Sequence, residues 1–248
     1  MRKPFNIAID KSPLEILQDC GGYYECPKDA SGNRLGPLVG YAGTYGDGKH
    51  YVGDVYANFA KAEEYPFVLE SFGVRLKNLL PKEVLEEARV FCGAPLGGMA
   101  FAYQLALLTQ CRYVFAEKKV TKAATGSERE ESKLVWGRHE ITIGDDVVIV
   151  EDVNNNFSTT EDLIALIKKA GGRVLAIASL LNRSLTVDDV YQSPSGGSIP
   201  VLSLVRKPID QYVQDSPAVQ ADIQAGNVVW KPKADWERLT AAMASTHQ

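Results

Sequence analysis

The chain has 248 residues, 45% of them hydrophobic and 23% charged, values that exclude a disordered or fibrous protein. A net charge of -4 and the lack of a dense Lys/Arg run argue against nucleic acid as a partner. No segment reaches the roughly 20 apolar residues of a membrane helix. We therefore expect one elaborated cytoplasmic domain with a small-molecule ligand and no membrane partner.

The cysteines lie too far apart for paired C-x-x-C zinc ligands and are too few for a disulfide framework. We expect reduced thiols at all four positions: Cys20, Cys26, Cys92 and Cys111.

Hydrophobic periodicity predicts the elements in chain order. A turn-rich stretch over residues 21–53 separates a first short helix from the others. The predicted helices cover residues 14–20, 65–80, 83–88, 98–109, 159–170 and 236–243. The predicted strands cover residues 89–93, 112–116, 146–150, 174–180 and 201–205. Because strands and helices alternate from residue 89 onward, they predict a parallel sheet.

Two consecutive acids stand out at the end of the apolar strand over residues 146–150. Glu151 and Asp152 follow that strand directly, and a polar turn then leads into a helix. Ligands of open parallel sheets bind beyond the carboxyl ends of the strands. The unpaired amides at the start of a helix favour phosphate. This turn therefore suits a phosphorylated ribose, with its hydroxyls at the acids and its phosphate at the amides.

A purely structural alternative exists for the same segment. Ser158 and Glu161 have the spacing of a capping box, which would account for the turn without a ligand. Two acids at the end of a buried strand are harder to explain structurally, since an unpaired buried charge costs several kcal/mol.

Two further turns have a related character. Gly97 and Gly98 lie between a strand and a helix, where glycines allow close approach to an anion. Lys118 and Lys119 enter a polar stretch over residues 117–137, a place from which basic side chains can close over a pyrophosphate. The structural alternatives are an ordinary chain turn and a solvated charge run.

In this order the three turns resemble those of the type I phosphoribosyltransferases, most closely the orotate phosphoribosyltransferase-like branch. The resemblance spans roughly residues 49–183, and the polar stretch looks like the family's mobile catalytic loop. It implies an α/β fold with a Rossmann-like parallel sheet and helices on both faces. It also implies a single domain over residues 1–248, with a core at about 60–185 and a small hood from about 1–58 and 186–248.

The resemblance further implies a reaction. Phosphoribosyl pyrophosphate, as its Mg²⁺ complex, would give ribose 5-phosphate to a nucleobase nitrogen, with orotate or a related pyrimidine expected, and release pyrophosphate. Glu151 and Asp152 would hold the ribose hydroxyls and support the positive charge that develops on the sugar. The sugar phosphate would bind at Asn155, Asn156, Phe157, Ser158 and Thr159. The leaving pyrophosphate would face Gly97, Gly98, Lys118, Lys119 and Arg138.

Two more expectations come from the resemblance. Mg²⁺ would be held largely by substrate oxygens and water, with Asp152 as the candidate protein ligand. The family's mobile loop often reaches a neighbour's site, so we expect a homodimer.

The sequence departs from the family at the phosphate loop, which usually reads Thr-Thr-Gly-Gly-Ser/Thr. Phe157 stands where the first glycine is expected, and a left-handed conformation there costs about 1–2 kcal/mol. The basic loop holds no histidine, although the orotate enzymes commonly have one. A second hypothesis is therefore a catalytically weak or inactive phosphoribosyltransferase-fold protein that binds a nucleotide or regulates. A Rossmann dehydrogenase is disfavoured, since no G-x-G-x-x-G follows the first strand of a βαβ unit.

Overall fold

The computed structural model describes residues 7–46, 48–122 and 131–244. The chain divides into two compact units. The first unit is Met1–Ala62 with Ile209–Gln248, and the second unit is Glu63–Pro208.

The described residues form eight α-helices. They are α1 (Pro13–Asp19), α2 (Ala60–Glu63), α3 (Pro66–Leu79), α4 (Lys82–Glu87), α5 (Gly98–Thr109), α6 (Ser158–Lys169), α7 (Pro217–Gln224) and α8 (Trp236–Ala244). The strands of the same ranges are β1 (Tyr23–Glu25), β2 (Leu38–Tyr45), β3 (Lys49–Gly53), β4 (Val55–Ala57), β5 (Val90–Gly93), β6 (Arg112–Phe115), β7 (Glu117–Lys122), β8 (Glu131–Val135), β9 (Asp146–Asn154), β10 (Arg173–Asn182), β11 (Val190–Ser193), β12 (Gly197–Arg206) and β13 (Val228–Val229).

A six-stranded sheet with the order β11-β12-β10-β9-β5-β6 is the centre of the second unit. All of its neighbouring pairs are parallel except β11 with β12. The register aligns Gly93 of β5 with Val150 of β9, and Val150 with Ala178 of β10. The carboxyl ends of these strands therefore lie at one edge, and the predicted parallel α/β fold is confirmed.

Helices cover both faces of this sheet. On one face Cys92 and Ile149 belong to a buried cluster with Leu163 of α6. Their strand neighbours Phe91 and Val148 are equally buried and point to the opposite face, because side chains alternate along a strand. The helices α3 and α5 pack against the strands from that side.

The boundary between the units differs from the expected one. Residues 186–208 were predicted to belong to the hood, but they form β11 and β12, and β12 extends the parallel sheet next to β10. Their strand pairing with β10 places them in the second unit.

The polar stretch over residues 117–137 is also more regular than predicted. Its two ends form the antiparallel pair β7 and β8. Residues 123–130, which connect these strands in the chain and belong to the predicted mobile loop, lie outside the described residues.

The first unit contains a three-stranded sheet, β13-β2-β3, and the pair β1 and β4. No strand was predicted in the turn-rich stretch of residues 21–53, but β1, β2 and β3 lie there. Gly40 and Gly43 interrupt the apolar alternation of β2, and Val228 and Val229, which pair with Leu38 and Val39, come far later in the chain. Helix α7 was not predicted either.

Local signals set several helix ends. Ser12 and Glu15 form a capping box at the start of α1, and Pro66 begins α3. Gly171, with a φ of 88°, follows the end of α6, because glycine adopts the left-handed conformation freely. In the parts of the chain described, no helix combines the length and hydrophobicity needed to span a membrane.

Candidate functional site

A cavity of about 240 Å³ lies at the edge of the sheet where β5 and β9 end. Its walls are Pro95, Leu96, Gly97 and residues 151–160. The structure therefore brings together the predicted acid pair, the predicted phosphate loop and one glycine of the predicted pyrophosphate turn. We call this space the acid-pair cavity.

Glu151 is the buried member of the acid pair. The strand β9 continues four residues beyond the predicted end, so Glu151 lies within the sheet, and only 8% of it is exposed. Its Oε1 accepts a hydrogen bond from Oγ1 of Thr160 at 3.3 Å. Burial, together with the charge of Asp152, raises the pKa of Glu151 to about 8. The side chain is therefore mostly a neutral carboxylic acid at pH 7, able to donate a hydrogen bond.

Asp152 is the accessible member of the pair. It is half-buried, and its Oδ1 accepts the backbone N–H of Val153 at 2.8 Å. Gly97 lies directly against it, and a Cβ at Gly97 would overlap the Asp152 carboxylate. The charge of Asp152 also reaches Glu63, whose pKa is raised by burial and by this neighbour. Asp152 is thus the negative charge of the cavity, next to two carboxyl groups with raised pKa values.

The loop between β9 and α6 has an unusual centre. Phe157 adopts a left-handed conformation, with φ 60° and ψ 15°, as the glycine expected there would. Its ring is only 3% exposed and stacks on Tyr191 of β11, with centroids 4.7 Å apart and an interplanar angle of 12°. The ring therefore packs into the protein core and serves as an anchor for the loop.

Backbone donors of this loop are available at the start of α6. Ser158 donates its amide to Oδ1 of Asn156 at 3.2 Å, so the Asn156 side chain closes the turn. Within the described residues the amides of Asn155, Asn156 and Phe157 have no acceptor. Free amides at a helix N-terminus carry the positive end of the helix dipole. The loop is thus suited to an anion.

The capping-box alternative for this segment was wrong. The N-cap residue is Phe157, whose side chain makes no capping hydrogen bond, and it is Asn156 that accepts an amide of the first turn. Glu161 instead turns toward the segment before β12 and accepts the amide of Ser195 on its Oε1 at 3.0 Å. Among the described residues, the amides of Asn155, Asn156 and Phe157 just before α6 therefore stay available for another partner.

Gly98 has a structural role that the sequence did not reveal. It does not line the cavity, and a Cβ there would overlap the carbonyl oxygen of Val150. Gly98 therefore lets α5 begin directly against β9. The peptide bond between Pro95 and Leu96, in the same turn, is cis.

The predicted basic residues separate in the structure. Lys118 and Lys119 are exposed neighbours on β7, so they point to opposite faces. Lys118 is near enough to lower the pKa of Glu151, whereas Lys119 pairs in register with Lys133 of β8. Neither residue lines the acid-pair cavity.

Arg138 is engaged elsewhere. Its Nε donates to Oε1 of Glu117 at 3.1 Å, and its guanidinium lies 5.8 Å from the centroid of the Phe115 ring. The side chain is 74% exposed and is not part of the cavity wall.

Sequence reasoning missed three residues that shape the site: Glu63, Thr160 and Tyr191. Thr160 was visible as the last hydroxyl of the turn. Glu63 and Tyr191 had no sequence signal, since each reaches the site from an element distant in the chain.

The donor set of the cavity fits a metal only in part. Among the residues described, no three His, Cys, Asp or Glu side chains are arranged to hold a metal ion. Asp152 offers a single accessible carboxylate, and Mg²⁺ usually takes its other ligands from water and phosphates. The residues thus fit a Mg²⁺ ion that is bound together with a phosphorylated ligand.

The chain resembles known proteins in both sequence and structure. No family model matches the chain. The chain is 32% identical over 138 residues to the orotate phosphoribosyltransferase of Thermoanaerobacter sp. (strain X514), covering 55% of this chain and 64% of the relative, less than two thirds of its length. It is 29% identical over 168 residues to that of Caldanaerobacter subterraneus subsp. tengcongensis, covering 68% of this chain and 77% of the relative.

Solved structures share the fold. Orotate phosphoribosyltransferase from Aeropyrum pernix superposes with a TM-score of 0.51 at 16% identity, covering 78% of this chain and 92% of that one. Leishmania donovani UMP synthase superposes with a TM-score of 0.50 at 14% identity, covering 96% of this chain and 42% of that one.

Proposed function

Because the chain belongs to the type I phosphoribosyltransferase family, we propose that it transfers ribose 5-phosphate from phosphoribosyl pyrophosphate to a nucleobase nitrogen and releases pyrophosphate. The observation that carries this proposal is the acid-pair cavity, where Glu151 and Asp152 share one space with the free amides before α6. A sugar phosphate presents hydroxyl groups and an anion on one molecule.

The 5-phosphate binds at residues 155–159, chiefly at the amides of Asn155, Asn156 and Phe157, since Asn156 accepts the amide of Ser158. Anions at a helix N-terminus are stabilised by the unpaired N–H groups and by the helix dipole. The left-handed Phe157 keeps the loop in the shape that a glycine would give, and its stack on Tyr191 fixes that shape. The side chain therefore supplies an anchor that a glycine lacks.

The acid pair divides the work on the ribose. Asp152, charged and accessible, accepts hydrogen bonds from the ribose hydroxyls and stabilises the positive charge that develops at C1 of the sugar. Glu151, neutral at pH 7 because of its raised pKa, donates to a hydroxyl oxygen. One charge and one neutral acid avoid the repulsion that two adjacent carboxylates would suffer.

The bond changes are those of a substitution at C1. The C1–O bond to pyrophosphate breaks and its electron pair leaves with the pyrophosphate oxygen, while the lone pair of a base nitrogen forms the new C1–N bond. The base releases its nitrogen-bound proton to solvent. Gly97 leaves room for the pyrophosphate beside Asp152, and Lys118 adds positive charge nearby. Mg²⁺, when bound, neutralises part of the pyrophosphate charge, with Asp152 as the protein's candidate ligand.

We propose orotate or a related pyrimidine as the base, because the sequence relatives given above are named orotate phosphoribosyltransferases. The test mixes protein, Mg²⁺ and phosphoribosyl pyrophosphate with orotate, uracil, adenine or no base, and measures pyrophosphate release. We expect turnover with a pyrimidine and at least a 100-fold loss in Asp152→Asn. Asp189→Asn, an exposed acid of the same unit, is the matched control and keeps the wild-type rate.

No turnover with any base, or an unchanged rate in Asp152→Asn, would refute the enzymatic proposal. The alternative is a phosphoribosyltransferase-fold protein that binds a nucleotide without turnover. The observation favouring it is Phe157 in place of a glycine. Calorimetry that detects phosphoribosyl pyrophosphate binding while pyrophosphate release stays at background would support this alternative.

The homodimer, the cytoplasmic location and the single-domain organisation with a hood stay predictions. Sedimentation velocity on the full chain tests the first of them.

A further inference from the structure

Asn154, the last residue of β9, is a buried polar side chain in the wall of the acid-pair cavity. Only 2% of it is exposed, and its Oδ1 has no hydrogen-bond partner among the described residues. A buried amide oxygen without a donor destabilises a fold, because nothing replaces the water it has lost. Stability alone therefore does not explain an asparagine at this position.

The neighbour of Asn154 in the sheet shows that the strand ends do not require an unpaired amide. Asn182 of β10 pairs in register with Asn154 and is equally buried. Its Oδ1 accepts the amide of Ser184 at 3.0 Å, and its Nδ2 donates to the carbonyl oxygen of Val187 at 3.1 Å. The unpaired oxygen is thus particular to the residue that lines the cavity.

The amide nitrogen of Asn154 begins a short chain of hydrogen bonds that ends at Glu151. Nδ2 of Asn154 donates to Oγ1 of Thr160 at 3.5 Å, and this hydroxyl donates to Oε1 of Glu151 at 3.3 Å. A hydroxyl has a single proton to donate. Because Thr160 accepts from Asn154, its proton is left to point at Glu151. We call this arrangement the buried chain.

The buried chain is the anchor of the Glu151 carboxyl group. The bond from Thr160 is the one side-chain hydrogen bond of Glu151 within the described residues, and it engages Oε1. Oε2 is therefore left for a ligand in the cavity. Asp152 does not depend on the chain, since the backbone amide of Val153 holds its Oδ1.

The two bonds of the chain are longer than the usual range for such pairs, so each contributes little to stability. A weakly bonded chain with an unpaired amide oxygen is a poor device for holding a fold together. Its clear effect is to set the direction of one carboxyl group.

We propose that Asn154 and Thr160 are positioning residues that hold the carboxyl group of Glu151 toward the ribose hydroxyls of the substrate. This inference rests on the proposed function, because it takes the ribose phosphate of that reaction as the ligand. Asn154 orients the hydroxyl of Thr160, Thr160 holds Oε1 of Glu151, and Oε2 meets the sugar. Both residues act through Glu151.

A structural role for the same bonds is the alternative, since they also connect α6 to the end of β9. That role predicts that removing them lowers stability and weakens all binding at the phosphate loop. Positioning predicts a folded protein that still binds phosphate and has lost affinity for the sugar.

The test measures binding of ribose 5-phosphate and of inorganic phosphate to the full chain by calorimetry. Thr160→Val removes the hydroxyl at nearly constant volume. We expect it to weaken ribose 5-phosphate binding about fivefold, the effect of one lost hydrogen bond, and to change phosphate binding less than about twofold. Thr160→Ser keeps a hydroxyl and restores most of the affinity for ribose 5-phosphate.

Asn154→Leu removes the start of the chain together with the unpaired oxygen. We expect weaker ribose 5-phosphate binding in a protein whose thermal midpoint is at or above that of the wild type. Thr109→Val is the matched control, because its hydroxyl donates to the carbonyl oxygen of Leu105 at the far end of α5. It leaves both affinities unchanged.

Pyrophosphate release is measured on the same samples, so the two proposals fail in different ways. Ribose 5-phosphate binding that depends on Thr160, in a protein without turnover, would refute the transferase and leave the positioning role standing.

Three results would overturn the positioning role. One is the absence of ribose 5-phosphate binding at millimolar concentration. Another is an affinity for ribose 5-phosphate that is unchanged in both Thr160→Val and Asn154→Leu. The last is an equal loss of affinity for ribose 5-phosphate and for phosphate, which would mean that the chain only shapes the loop. Circular dichroism confirms that each variant is folded.

Discussion

Replacing Phe157 by glycine separates the two contributions of this residue. Its left-handed backbone costs about 1–2 kcal/mol for a residue with a Cβ, and glycine removes that cost. Its ring, 3% exposed and stacked on Tyr191, is worth about 3–5 kcal/mol, the usual loss when a buried phenylalanine is truncated. The second term is larger, so we expect Phe157→Gly to lower the free energy of unfolding by about 1–4 kcal/mol.

Gln110→Gly is the matched control. Gln110 is the other described residue with a Cβ and a positive φ, 58°, and it is exposed at the end of α5. Glycine there relieves the same backbone cost without removing a buried ring. We expect the free energy of unfolding to rise by up to about 1 kcal/mol.

The assay is urea unfolding followed by circular dichroism, together with the KM for phosphoribosyl pyrophosphate. We expect Phe157→Gly to raise KM more than it lowers kcat, because the anchor positions the phosphate loop. Tyr191→Leu removes the stacking partner and has a smaller effect of the same kind, about 0.5–1.5 kcal/mol, whereas Tyr191→Phe preserves it. A Phe157→Gly protein as stable as wild type, with an unchanged KM, would refute the idea that the ring anchors the loop.

Three further predictions concern the same site. Because the pKa of Glu151 is raised in the folded chain, the folded state keeps a proton that the unfolded state has already released between about pH 5 and 8. The free energy of unfolding therefore falls as pH rises through this range, by about 1.4 kcal/mol per pH unit at most. Glu151→Gln should abolish that slope in urea titrations at several pH values, and an identical slope would contradict it. Lys118→Ala should lower kcat/KM about tenfold, whereas Lys119→Ala, on the opposite face of the strand, should change kcat/KM less than twofold. Equal losses in the two variants would contradict the proposal that Lys118 alone adds positive charge near the cavity. Gly98→Ala should lower the free energy of unfolding by more than about 2 kcal/mol, because the new Cβ would overlap a strand carbonyl. Gly43→Ala should lower it by less than about 1 kcal/mol, since the nearest atom to the new Cβ lies at 3.7 Å. Thermal unfolding of the two variants compares these losses.

Sequence periodicity was sufficient to predict most helices and strands of the second unit, because their positions follow from local sequence patterns. Helix α5 lies where it was predicted, and β5, β6 and α6 differ from their predictions by one residue. Continuous apolar runs specify buried parallel strands, and glycine or proline ends the helices between them. The first unit was poorly predicted, since β2 depends on β13 for a partner and its glycines break the alternation.

The sequence by itself determined the composition of the acid-pair cavity, because one uninterrupted segment, residues 151–160, supplies most of its wall. Only the tertiary structure decided how those residues behave. The burial that raises the pKa of Glu151 comes from neighbouring elements. The Tyr191 ring that stacks on Phe157 also comes from a distant element, β11. Lys118 and Lys119 were alike in sequence, and strand alternation placed them on opposite faces. Such differences depend on desolvation and on contacts between distant segments, which no local pattern encodes.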